Sequence, residues 1–109
     1  MKTEVKMNEE IRDLFEDRKQ FYNACKILNR EKNYESIRKY WSGCVSSIDT
    51  LLRIIEIQQY TCKIDDFIFL ADIELKLYGR TGNPWYRGAY VTILTLMNMI
   101  FKTKIRSDI

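Results

Sequence analysis

Apolar residues recur along the first half of this chain at alternating spacings of four and three. One run is Met7, Ile11, Leu14, Arg18, Phe21, Cys25 and Leu28, and the other is Ile37, Trp41, Cys44, Ile48, Leu51 and Ile55. Such spacing sets each run on one face of an α-helix and demands a surface to cover it. Only Arg18 interrupts the pattern. An unpaired buried charge is costly, so its guanidinium must reach water, pair with a carboxylate of another helix, or face a polar site.

The polar stretch NREKN separates the two runs and turns them into an antiparallel hairpin rather than one long coiled coil. The first helix is expected from about 4 or 8 to 28 or 29, with Glu9, Glu10 and Asp13 near its start and Lys26 and Arg30 near its end, as the helix dipole favours. The second is expected over about 34–60, with Asn33 as N-cap. Gly43 and the neighbouring Ser42, Ser46 and Ser47 are poor helix formers. Small residues there let another helix approach closely; a kink at a binding site is the alternative.

A third helix follows, with Asp65 as cap, Ile64 and Phe69 as a staple across its first turn and Gly79 as C-cap. Alternation at Ile73, Leu75 and Leu77 leaves a short strand as the competing reading. A turn over 80–83 leads to the fourth helix, which has the clearest start in the chain: Asn83 at the N-cap and Pro84 at the first helical position. Residues 88–101 carry no charge. As a helix that stretch rises about 21 Å, short of the roughly 30 Å of a bilayer core. It reads as a core helix rather than an interface or membrane-surface anchor, and no transmembrane span is expected. The fold class is therefore all-α, a small antiparallel bundle of about four helices, in which a long hairpin is joined by two shorter helices. Residues 1–109 form one domain, with 102–109 a frayed basic tail.

Several chemistries are excluded by residue type. The chain has no His, which removes Ser-His-Asp and Cys-His arrangements and His-based metal sites. Three cysteines at long, irregular gaps fit reduced, buried thiols better than a disulfide framework, and the charged N-terminus has no signal-peptide core. Both point to a cytoplasmic protein. GRTGNPW lacks the Lys-Ser/Thr of a phosphate-binding loop. The acids Glu9, Glu10, Asp13, Glu16 and Asp17 interleave with Lys6, Arg12 and Lys19, so they read as a solvated face and not a metal site. No cofactor or metal is expected.

Two clusters mix aromatic and basic residues: Arg38, Lys39, Tyr40 and Trp41, and Arg80, Trp85, Tyr86 and Arg87. Because Trp, Tyr and Arg dominate binding hot spots, Tyr40, Arg80, Trp85, Tyr86 and Arg87 are the candidate partner-binding residues. In size and helix order the layout resembles bacteriocin immunity proteins and small phage-encoded inhibitors; no motif carries the likeness. The expected function is a non-enzymatic protein-binding module of inhibitor, immunity or adaptor type, with homodimerisation an open option. The first alternative is a nucleic-acid-binding regulator, which the net charge of +3 and the apolar fourth helix disfavour. The second is a small helical enzyme that clamps a dicarboxylate with Arg12, Arg18 and Lys39.

Overall fold

Asn8 starts the first helix. Its Oδ1 accepts a hydrogen bond from the Ile11 amide at 2.8 Å, which satisfies one of the amides that a helix start leaves without a partner. In the computed structural model, which describes residues 2–29 and 34–107, α1 spans Glu9–Leu28 and α2 spans Glu35–Ile57. The cap expected at Asn33 lies outside the described residues. Tyr34 stands at the N-cap of α2, without a side-chain cap bond.

The segment before Asn8 is not helical. Strand β1, Glu4–Lys6, pairs antiparallel with β2, Thr61–Lys63, in the register Glu4 to Lys63, Val5 to Cys62 and Lys6 to Thr61. Bonds from Met7 N to Tyr60 O (2.7 Å) and from Ile64 N to Thr3 O (2.9 Å) extend the pairing at both ends. The second helix was expected to run to 60, but Gln59 and Tyr60 adopt left-handed backbone with φ of 56° and 61°. That conformation ends the helix and reverses the chain onto β1.

Helix α3 spans Ile64–Thr81, so 73–77 is helical and the strand alternative is corrected. Lys63, not Asp65, is its N-cap, and Asp65 lies within the first turn. The expected staple does not form: Ile64 is buried in the core while Phe69 is 66% exposed. Gly79 lies inside the helix, and Gly82 ends it at φ 65° with its amide bonded to Tyr78 O at 2.8 Å. Gly82 can take the left-handed turn that stops a helix, and it directly precedes the next start signal. There Asn83 Oδ1 accepts from the Trp85 amide at 3.0 Å, and Pro84 opens α4, Pro84–Phe101.

Among the described residues the four helices pack against one another as an all-α bundle with only this small two-stranded sheet. Helix α4 is the central element. It packs most extensively on α2 and α3, while α1 packs chiefly on α2. The α1/α2 hairpin is thus not the main seam that α4 merely covers. Glycines at 43 and 88 account for this. A Cβ at Gly43 would run into the Trp85 carbonyl, and one at Gly88 into the Tyr40 carbonyl, so each helix lays backbone against backbone at the crossing. The small-residue reading of this region holds, and no kink is needed.

The first apolar run is partly out of phase. In a straight helix a strict seven-residue repeat drifts about 20° per heptad. From Leu14 through Phe21 to Leu28 the drift reaches about 40°, which leaves Phe21 54% and Leu28 74% exposed. Ile11, Phe15 and Tyr22 hold the buried face instead. In α2 the expected residues Cys44, Ile48, Leu51 and Ile55 are all buried.

The tail expected to fray is tied down in part. Asn98 donates to Ile105 O at 2.8 Å and accepts from Thr103 Oγ1 at 2.6 Å and Ile105 N at 3.1 Å. No helix among the described residues is long and apolar enough to cross a membrane.

Candidate functional site

The close α2/α4 crossing sets the first turns of both helices side by side at one end of the bundle. Between them lies a cleft of about 400 Å³ lined by Ser36, Ile37, Tyr40, Trp41, Pro84 and Arg87. Each wall has a local cause. Pro84 is there because α4 starts at this level, and Tyr40 is held by its own carbonyl against Gly88. The Arg87 guanidinium carbon sits 5.8 Å from the centre of the Tyr40 ring, within range of a cation–π contact.

The aromatic wall continues across to α1. Trp41 meets Tyr40 edge-on at 5.0 Å, stacks on Tyr22 at 5.7 Å, and approaches Phe21 at 6.5 Å. Trp41 Nε1 is buried without a hydrogen-bond acceptor. Burial pushes the Tyr40 phenol above its ordinary value, with Arg87 opposing that rise, so the ring is neutral at physiological pH. A second cleft of about 400 Å³ opens between α1 and α2, lined by Asn23, Lys26, Ile27 and Arg38. This end of the molecule is therefore apolar, aromatic and basic at once, and Lys39 adds a cation 3.6 Å from Glu35.

Of the five candidate residues, the structure brings Tyr40 and Arg87 into one cleft. Trp85 and Tyr86 pair with each other edge-on at 5.3 Å and do not line that cleft, and Arg80 lies exposed near the end of α3. Ile37, Trp41 and Pro84 complete the walls, although the sequence assigned the first two to a core stripe and the third to a helix start. The available signal was that the second apolar run begins at Ile37, in the first turn of α2, with Trp41 only half-buried and Ile37 39% exposed.

Arg18 is half-buried, and its Nη2 lies 3.9 Å from Met99 Sδ, a weak acceptor. It makes no ion pair among the described residues; the pair that joins α1 to α2 is Lys19–Asp49 at 2.8 Å. The proposed dicarboxylate clamp does not assemble. Arg12 lies over the Tyr60 ring at 5.9 Å, beyond the end of α2, whereas Lys39 pairs with Glu35 in its first turns. Some 18 residues of helix, about 27 Å, separate those two ends.

Two of the three thiols are poor nucleophiles. Burial pushes both Cys44 and Cys62 up to about 11, so they stay protonated at neutral pH. Cys44 Sγ donates to Gly88 O at 3.4 Å and reinforces the helix crossing. Among the described residues no group of three or more Cys, Asp or Glu is placed to hold a metal ion, and the five acids of α1 are exposed. No protein-family model, curated protein or solved structure matches this chain.

Proposed function

We propose that this chain is a protein-binding module of the inhibitor, immunity or adaptor type. It acts by docking, taking an acidic segment with an apolar tip from its partner into the α2/α4 cleft. The observation that carries this reading is the cleft itself, where Ile37, Tyr40, Trp41 and Pro84 form the walls and Arg87 lies over the Tyr40 ring at the same mouth. A guanidinium presents parallel donors to a carboxylate, and an aromatic face beneath it limits its orientations. The first-turn amides of α2, without a side-chain cap, further favour negative charge. Function is then steric: the occupied end of the bundle blocks or bridges what it binds.

Selection from an unbiased peptide library tests this. Enriched peptides should place Asp or Glu beside a large apolar residue. Arg87→Glu should weaken the best of them at least about tenfold, as like charges at a contact do, with the helical circular dichroism unchanged. Enrichment of basic peptides, or indifference to Arg87→Glu, overturns the reading. Binding of random DNA that falls steeply with salt and is lost in the same variant would assign the cleft to nucleic acid instead.

A further inference from the structure

Helix α3 carries apolar side chains around most of its circumference, yet its extensive packing is on α4 alone, with a smaller contact to β2. Ile64, Phe67 and Ala71 fill the side facing the core. Phe69 stands largely exposed and Ile68, on a different side of the helix, about half exposed. A helix that is apolar on more than one side calls for a second covering surface.

The flank beside the core face has its own order. Asp66, Leu70, Ile73, Leu77 and Arg80 follow one another at spacings of four and three, with Phe69 alongside. At 3.6 residues per turn these six fall within an arc of about 100°. The stripe is acidic at its N-terminal end, basic at its C-terminal end and apolar between, with Ile73 at its midpoint. Neither Asp66 nor Arg80 has an ion-pair partner among the described residues. Asp66, Leu70, Ile73 and Leu77 are half-buried, with Leu70 against the core and one Asp66 oxygen covered by the chain itself, so it is the outer edges of these side chains, with Phe69 and Arg80, that the flank presents.

We propose that this flank of α3 is a self-association surface, on which a second copy of the chain packs antiparallel about a two-fold axis through Ile73. Reversal of the helix sets Asp66 against Arg80 of the second copy at both ends, Phe69 and Leu70 against Leu77, and Ile73 against itself. A parallel pairing would oppose Asp66 to Asp66 and Arg80 to Arg80, so the charges select the antiparallel arrangement. This surface complements itself, as an isologous two-fold contact must. The seam is about 21 Å long. A contact along a single helix pair is small, so the dimer should dissociate on dilution. The surface is separate from the α2/α4 cleft, so the dimer leaves that cleft open.

Sedimentation equilibrium of the full chain over about a hundredfold range of concentration tests the proposal. The mass should rise from 13.1 kDa toward twice that value. Arg80→Asp and Asp66→Arg should each shift dissociation at least about tenfold toward monomer. Mixing the two variants should restore a dimer, because each then supplies the charge that the other lacks. Ile73→Glu, on the axis, should stay monomeric with an unchanged helical spectrum, and together with Arg80→Asp it decides the matter if Asp66→Arg does not fold. A mass that stays at the monomer value overturns the proposal. So does a dimer that survives both Arg80→Asp and Ile73→Glu, or a mixture of charge variants that does not associate.

Discussion

Gly43→Ala probes the contact on which the whole arrangement depends. A methyl group there would stand 2.8 Å from the Trp85 carbonyl carbon, closer still to its oxygen, and 3.2 Å from the Ala89 nitrogen, where ordinary contact begins near 3.4 Å. These are backbone atoms of a helix packed on both sides, so no side chain can swing away, and α2 and α4 must separate. Forcing extra volume into a packed core typically costs about 1–3 kcal/mol. Replacing a mid-helix Gly by Ala returns about 1 kcal/mol through helix propensity. The net loss should therefore lie between near zero and about 2 kcal/mol, set against the roughly 5–15 kcal/mol that holds a typical domain together. Gly79 supplies the internal control. It is also inside a helix, but a Cβ there meets nothing within 4 Å, so Gly79→Ala should stabilise by about 0.5–1 kcal/mol. Gly88→Ala should resemble Gly43→Ala, and the double variant should cost less than the sum, since one separation of the helices admits both methyl groups. Urea unfolding followed by circular dichroism measures all four. If Gly43→Ala stabilises the protein as much as Gly79→Ala, the helices do not cross backbone to backbone and the reasoning fails.

Two further predictions concern ionisable groups. Burial raises the carboxyl of Glu74 on α3, and its Oε2 has no hydrogen-bond partner. Because the folded state holds that proton more tightly than the unfolded chain, stability should decline as pH rises from the ordinary glutamate value of 4.5 through the raised one; Glu74→Gln should flatten that decline and leave the variant more stable than wild type at pH 7, and a Tm series across pH for the two proteins decides it. The three thiols should separate by rate: half-buried Cys25 should react with a disulfide reagent at neutral pH, while Cys44 and Cys62, raised to about 11 and buried, should wait for unfolding. Equal rates in the native protein would contradict the burial on which the core description rests.

Local signals that depend on one turn of chain were legible in the sequence. Asn83 followed by Pro84 marks the start of α4 correctly because a cap and a proline act on adjacent backbone groups. The phase of α1 was not legible, since a heptad run and a straight helix diverge only over several turns, and Phe15 and Tyr22 emerge as the buried residues only after the drift is counted. The β1/β2 pair was hidden for a different reason. Strands of three residues have no periodicity to read, and these exist because Gln59 and Tyr60 turn the chain back onto residues far away in sequence. The site shows the same division. Tyr40 and Arg87 were legible as residue types suited to binding, whereas Ile37 and Trp41 read as core because an apolar run does not reveal how completely a neighbouring helix covers it.

The proposed docking site for a partner is the end of the bundle between α2 and α4. Chemical-shift mapping of the labelled chain with a library-selected acidic peptide addresses it most directly. Perturbations should concentrate on Ile37, Tyr40, the Trp41 indole and Arg87, and spare Phe69 and Ile73 on α3. Shifts centred on α3, or spread along the charged face of α1 with the Trp41 indole unmoved, would contradict it.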